Sequence, residues 1–150
     1  MSELTRETIV VAAPRDAIWA LLDDPATLAR VLPGAESLVA DGPDRWTGVL
    51  ASKVGFLTIR ADAVAQVSDV RRPDHMRLDI EGRPRGLAGS FRASIPFDLA
   101  EEGDATRIGY VVDLAVTGRL AAFGVPLLRD TLRKQVAQLV VNLERELRQP

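Results

Sequence analysis

The stretch VPLLRDTLRKQVAQLVVNLEREL, residues 125–147, decides the fold. Leu128, Leu132, Val136, Leu139, Val140, Leu143 and Leu147 step by three and four, the spacing of one apolar stripe on an α-helix. Arg129, Arg133, Lys134, Gln138, Asn142, Arg145 and Arg148 fall off that stripe, and Glu144 and Arg148 form a favourable i, i+4 pair. At ~1.5 Å per residue such a helix spans roughly 33 Å, the breadth of a small domain. It therefore needs one broad apolar surface to lie on. The residues just before it, GRLAAFG at 118–124, are small, apolar and flanked by glycine. Gly118 and Gly124 supply backbone freedom and Pro126 suits a helix start, so the segment from Gly118 to Leu132 reads as a hinged door.

The surface is found upstream. From Glu36 to Thr117 nearly everything is strand and turn. Leu57, Ile59, Ala61, Ala63, Ala65 and Val67 alternate with mostly polar neighbours, as do Met76, Leu78 and Ile80. Phe91, Ala93, Ile95, Phe97 and Leu99 share one side, and Ile108, Tyr110, Val112, Leu114 and Val116 complete the series. Period two with one polar face marks an antiparallel sheet wet on one side. Asp41–Asp44, Arg72–Asp74 and Glu101–Asp104 are short turns, which makes a meander the economical topology.

The N-terminal part adds one more strand at residues 4–12, followed by Ala13-Pro14 and a short helix carrying Ile18, Leu21 and Leu22. Asp24-Pro25 is an N-cap followed by a first-turn proline; that second helix carries Leu28, Val31 and Leu32 and stops at Pro33-Gly34. The expected fold is α+β: a curved antiparallel sheet of six to seven strands around a long C-terminal helix, with two short helices after strand 1.

Bulk properties exclude several functions. The chain has 150 residues, 47% of them hydrophobic, with a net charge of −2. The length fits one domain over residues 1–150. The charge argues against a nucleic-acid partner, and the interspersed charges argue against a polybasic membrane patch. With no cysteine and a single histidine, thiolate metal sites and Cys nucleophiles are absent. No metal and no cofactor are expected. The N-terminus MSELTRETIVV is acidic and lacks a long apolar run, so a signal peptide is not expected.

Single residues offer little catalysis. His75 follows a turn and reads as an exposed polar residue at a strand start. Asp23-Asp24 and Glu101-Glu102 sit at a helix boundary and a loop tip, where capping and solvation account for them. Ser37, Ser52, Ser68, Ser90 and Ser94 lack an activating base. The Gly82–Gly89 stretch fits no phosphate-loop spacing and reads as a flexible or bulged connection.

The concave face is the better candidate. Ala61, Ala63, Ala65 and Ala93 are small for a sheet that one helix must cover, which favours an apolar pocket over a solid core. Phe91, Phe97, Tyr110, Phe123, Leu128, Leu132 and Val136 share the apolar side and are the candidate ligand-binding or gate residues.

Several segments resemble the carbon monoxide dehydrogenase G-subunit family, within the START/Bet v 1-like helix-grip superfamily. They are Val11-Ala12-Ala13-Pro14 with Ile18-Trp19, Leu22-Asp23-Asp24-Pro25, Leu32-Pro33-Gly34-Ala35-Glu36-Ser37-Leu38, Ala88-Gly89-Ser90-Phe91, Thr106-Arg107 with Tyr110, and Gly118-Arg119-Leu120-Ala121 with Phe123-Gly124. Ala35 stands where the family usually has cysteine, and Gly55-Phe56 where it has Gly-Pro. The resemblance implies a cytoplasmic accessory protein, not an enzyme, that associates with a molybdenum hydroxylase of the carbon monoxide dehydrogenase type. It also implies a quinone- or lipid-like hydrophobic ligand and at most peripheral contact with the inner face of the membrane. Two rivals share the fold: a polyketide cyclase or hydratase-like enzyme, which needs inward polar groups such as Tyr110 with an arginine, and a scaffold or chaperone module with a solid core.

Overall fold

A computed structural model describes residues 2–148. The element order is β1 (Ser2–Val11), α1 (Arg15–Ala20), a 3-10 turn (Leu21–Asp23), α2 (Pro25–Val31), β2 (Ala35–Ala40), β3 (Arg45–Val54), β4 (Leu57–Arg71), β5 (His75–Pro84), β6 (Phe91–Glu102), β7 (Ala105–Val116), a second 3-10 segment (Gly118–Phe123) and α3 (Val125–Arg148). The strands form one seven-stranded sheet in the order β1-β7-β6-β5-β4-β3-β2, antiparallel throughout. The meander from β2 to β7 is as expected, and β1 returns to flank β7. Among the described residues no helix is long and apolar enough to cross a membrane.

Local signals place the helices. Asp24 caps α2: its carboxylate accepts from the Thr27 backbone N–H at 3.3 Å and from the Thr27 hydroxyl at 2.6 Å. Pro14 is the extended N-cap of α1, where its carbonyl accepts from the Ala17 and Ile18 N–H groups. Gly34, with φ +77°, turns the chain from α2 into β2, and a Cβ there would lie 2.0 Å from the Ala51 carbonyl oxygen. Only glycine fits that close approach.

The convex face is polar, as the alternation requires. Arg60 of β4 pairs with Glu36 of β2 across β3, Arg85 just after β5 pairs with Asp62 of β4, and Arg92 of β6 pairs with Glu81 of β5. His75 departs from expectation. Its side chain is only 13% exposed, because Asp98 on β6 meets Nδ1 at 2.8 Å and Asp69 meets Nε2 at 3.2 Å. Two flanking carboxylates cover the ring.

The concave face carries the decisive feature. One buried cluster joins Val11, Trp19, Leu21, Val31, Leu99, Ile108 and Leu143 under the C-terminal half of α3. A second joins Leu4, Ile95, Tyr110 and Val112, with Leu128, Leu132 and Val136 of α3 packed against it. Both draw their strand residues from β1, β6 and β7; from β2 to β5 only Met76 takes part. Seven strands at ~4.8 Å spacing make a sheet roughly 29 Å wide, whereas a helix with its side chains measures about 10 Å. A sheet that wide curves around the single helix, which meets β1 on one side and β3 on the other.

Candidate functional site

Between α3 and the concave face of the sheet lies a cavity of about 340 Å³. Its floor is built by side chains at alternate positions: Trp46 and Leu50 on β3, Ala63, Ala65 and Val67 on β4, and Met76, Leu78 and Ile80 on β5. Small residues make the hollow. Gly48 pairs with Ala63, so at that point the floor carries nothing larger than a methyl group, and Ala65 stands next to it opposite Trp46. The α1–α2 corner adds Trp19, Leu22, Leu28 and Leu32, and α3 forms the roof with Leu132, Gln135, Val136, Leu139 and Leu143. Among the described residues, no Asp, Glu, His, Lys or Arg lines it.

The seven residues singled out from the sequence divide into two groups. Phe97, Tyr110, Leu132 and Val136 stand in the cavity wall. Phe91, Phe123 and Leu128 stand outside it. Phe91 faces its register partner Gly82, and its ring fills the space a Cβ on Gly82 would take, 2.3 Å from that position. Leu128 packs into the second core cluster. Phe123 ends the 3-10 segment, and Leu132 is the only residue between Gly118 and Leu132 that lines the void. The cavity therefore lies further toward α1 and α2 than the Gly118–Leu132 door implies.

Sequence reasoning missed Trp46, Gln135 and the α1–α2 corner as wall residues. The apolar spacing of Ile18, Leu21, Leu22 and Leu28 was visible, but spacing alone does not distinguish a residue packed on a neighbour from one facing a void.

The roof is held by its rims. Arg133 reaches Glu7 of β1 through Nε at 3.0 Å and Nη2 at 2.8 Å, and Arg129 donates to the Leu4 carbonyl at 2.9 Å. On the opposite side Gln135 bonds Ser52 of β3. Toward the C-terminal end Asn142 donates to the Val31 carbonyl at 3.0 Å and Glu146 pairs with Arg30 at 2.9 Å. Leu143 is the one buried residue of α3 among those described.

Tyr110 is the polar group of interest. It is 5% exposed and stacks tilted on Phe97 with ring centroids 5.9 Å apart. Burial pushes its phenol pKa up, and the nearby Glu7 carboxylate adds to that, so the hydroxyl stays protonated in neutral solution. Among the described residues, no cluster of three His, Asp or Glu side chains is placed to hold a metal ion.

Comparisons agree with this architecture. The sequence model of the carbon monoxide dehydrogenase G-subunit (CoxG) family matches residues 8–148. No curated protein matches the chain. Among solved structures, a conserved protein from Geobacillus kaustophilus superposes with a TM-score of 0.85 at 23% identity, covering 95% of this chain and 93% of that one. Protein Ms6760 from Mycobacterium smegmatis gives a TM-score of 0.68 at 18% identity over 95% and 88% of the two chains. The ZhuI aromatase/cyclase from Streptomyces sp. R1128 gives 0.67 at 15% identity over 96% and 92%. At these identities the likeness is one of fold: a helix-grip sheet wrapped on a C-terminal helix.

Proposed function

The chain belongs to the carbon monoxide dehydrogenase G-subunit (CoxG) family, and on that premise we propose that it is a non-catalytic carrier of a hydrophobic small molecule. The ligand, quinone- or lipid-like, occupies the cavity beneath α3, in contact with Phe97, Tyr110, Leu132 and Val136. The partner is a molybdenum hydroxylase of the carbon monoxide dehydrogenase type. The setting is the cytoplasm, with peripheral contact at the inner face of the membrane.

The observation that carries this reading is the apolar void itself. Ligand pockets run from ~300 Å³ upward, and the cavity of about 340 Å³ falls within that range. Left empty it is expensive. At the ~24 cal/mol per Å³ found for core cavities, it would cost up to about 8 kcal/mol, as much as the whole stability of many domains. An apolar occupant removes that cost, whereas a solid-core scaffold would never incur it. The absence of any ionisable wall residue beyond Tyr110, among those described, supports carriage over acid–base chemistry.

The test is native mass spectrometry of gently purified protein, followed by organic extraction. The wild type is expected to retain an apolar adduct. Leu132→Trp, which drives an indole into the void from the roof, is expected to lose it. An unchanged adduct in that variant, or a lipid-free extract from the wild type, overturns the carrier reading. Co-purification with the hydroxylase tests the partnership separately.

A further inference from the structure

The fold sorts charges that the chain mixes. In a meander, alternate turns lie at opposite ends of the sheet. The β2–β3, β4–β5 and β6–β7 turns share one end and carry Asp41 and Asp44, Asp74, and Asp104. The β3–β4 turn, the β5–β6 connection and the segment between β7 and α3 share the other. Residues 45–61, 82–97 and 114–129, which supply that second end, contain no Asp or Glu. The carboxylates that border it, Glu3, Glu36, Asp62, Glu81 and Asp130, are each paired with an arginine or lysine, and Asp113 inside β7 is the one without such a pair among the described residues. Lys53, Arg83 and Arg119 are exposed there and enter no ion pair among the described residues. Charges interspersed in sequence thus become an acidic end and a basic end.

The basic end also carries an exposed apolar tip. Phe56 stands in the two-residue β3–β4 turn with its whole surface free, and Leu57 and Val125 are half exposed. A Cβ on Gly55 would lie 4.0 Å from Leu127 Cδ2, so this turn sits beside the first turn of α3. The Arg119 N–H donates to the Ala88 carbonyl at 2.8 Å, which joins the β5–β6 connection to the same surface. The other exposed large hydrophobic residues, Val10, Val39, Val70 and Val141, are single valines on four different elements. Nothing in the chain rests on the Phe56 ring. An apolar group that protrudes among unpaired cations matches the chemistry of an anionic bilayer surface: the ring enters the acyl boundary and the cations stay among the phosphates. A fluid surface needs no fitted pocket to receive it.

Resting on the peripheral contact in the reading above, and naming its surface, we propose that this end of the molecule docks on a bilayer containing anionic lipid. Phe56 and Leu57 insert, Lys53, Arg83 and Arg119 lie at the headgroup level, and the acidic turns point away.

The test is co-sedimentation of the full chain with vesicles of phosphatidylcholine alone or mixed with phosphatidylglycerol. Wild type is expected to bind the mixed vesicles more tightly than the neutral ones, and less tightly as salt is raised. Phe56→Ser should weaken that binding about tenfold or more, with urea stability unchanged because the ring packs on nothing. Lys53→Gln together with Arg119→Gln should weaken binding to mixed vesicles roughly fivefold per cation and leave binding to neutral vesicles as it was. Asp104→Asn, at the acidic end, should change neither. Absence of wild-type binding to mixed vesicles overturns the proposal, as does undiminished binding by Phe56→Ser. Should Phe56→Ser keep its vesicle binding and lose co-purification with the hydroxylase, the surface is a protein interface and the proposal is equally overturned. Carriage is read separately, from the apolar adduct in native mass spectra: its retention in Phe56→Ser keeps that reading whatever the vesicles show, and its absence from wild type removes carriage without touching the docking surface.

Discussion

Glu7 of β1 and Arg133 of α3 join the edge of the sheet to the roof of the cavity, with Arg133 placing Nε and Nη2 at 3.0 and 2.8 Å from the same carboxylate oxygen. Thr5 donates to that oxygen as well. The contact fastens the helix to the β1 edge of the sheet.

The latch is acid-sensitive in a defined direction. Hydrogen bonds from Thr5 and Arg133 hold the Glu7 carboxyl below its ordinary value of 4.5. A depressed carboxylate stabilises the fold above its unfolded pKa, and that contribution is lost as pH falls through the folded value. Thermal unfolding followed from about pH 7 to about pH 3 should show wild type above Glu7→Gln at neutral pH and the two converging in acid. A gap that stays constant across that range would falsify the assignment.

Filling the hollow from the floor separates a void from a packed core. Ala65 lies between Trp46 and Ile80 in register and lines the cavity. In ligand-stripped protein, Ala65→Leu should leave urea stability unchanged or raise it by up to about 2 kcal/mol, three further carbons at ~0.8 kcal/mol each. Overpacking a solid core would instead lower it by about 1–3 kcal/mol. The same variant should retain less apolar adduct.

Thr106 has no exposed surface, and its hydroxyl donates to the Ala13 carbonyl at 2.7 Å, tying the β1–α1 connection to β7. Thr106→Val keeps the shape and orphans that carbonyl. A loss of about 1–3 kcal/mol is expected in urea unfolding, with an unchanged m-value.

Gly34 places β2 on β3, and its carbonyl accepts the Ala51 N–H at 2.7 Å. Gly34→Ala should cost at least about 1–2 kcal/mol from the left-handed backbone alone. The clash with the Ala51 carbonyl adds to this. Hydrogen exchange should quicken along the β2–β3 pairing first, while β6–β7 amides stay protected; uniform quickening would argue against a local effect.

The element order was legible because each signal was local. Asp24-Pro25 announces the start of α2 by the cap it forms, and the Met76, Leu78, Ile80 alternation announces β5 by where its side chains must point. His75 was not legible in this way. Its cover comes from Asp98, 23 residues further on, which the β5–β6 register brings alongside. Phe91 shows the same limit at the site: alternation places it on the concave side, and only the glycine opposite decides that its ring lies down over Gly82.

The sequence by itself determined a one-sided sheet and a single amphipathic rod to cover it, because period two and period 3.6 are properties of consecutive residues. The tertiary structure alone decided that the rod is tied to β1 on one side and β3 on the other and that a void lined by strands from β1 to β7 remains beneath it. The position of a helix across a wider sheet depends on ties such as Glu7 to Arg133, between residues far apart in the chain, and no local pattern encodes them.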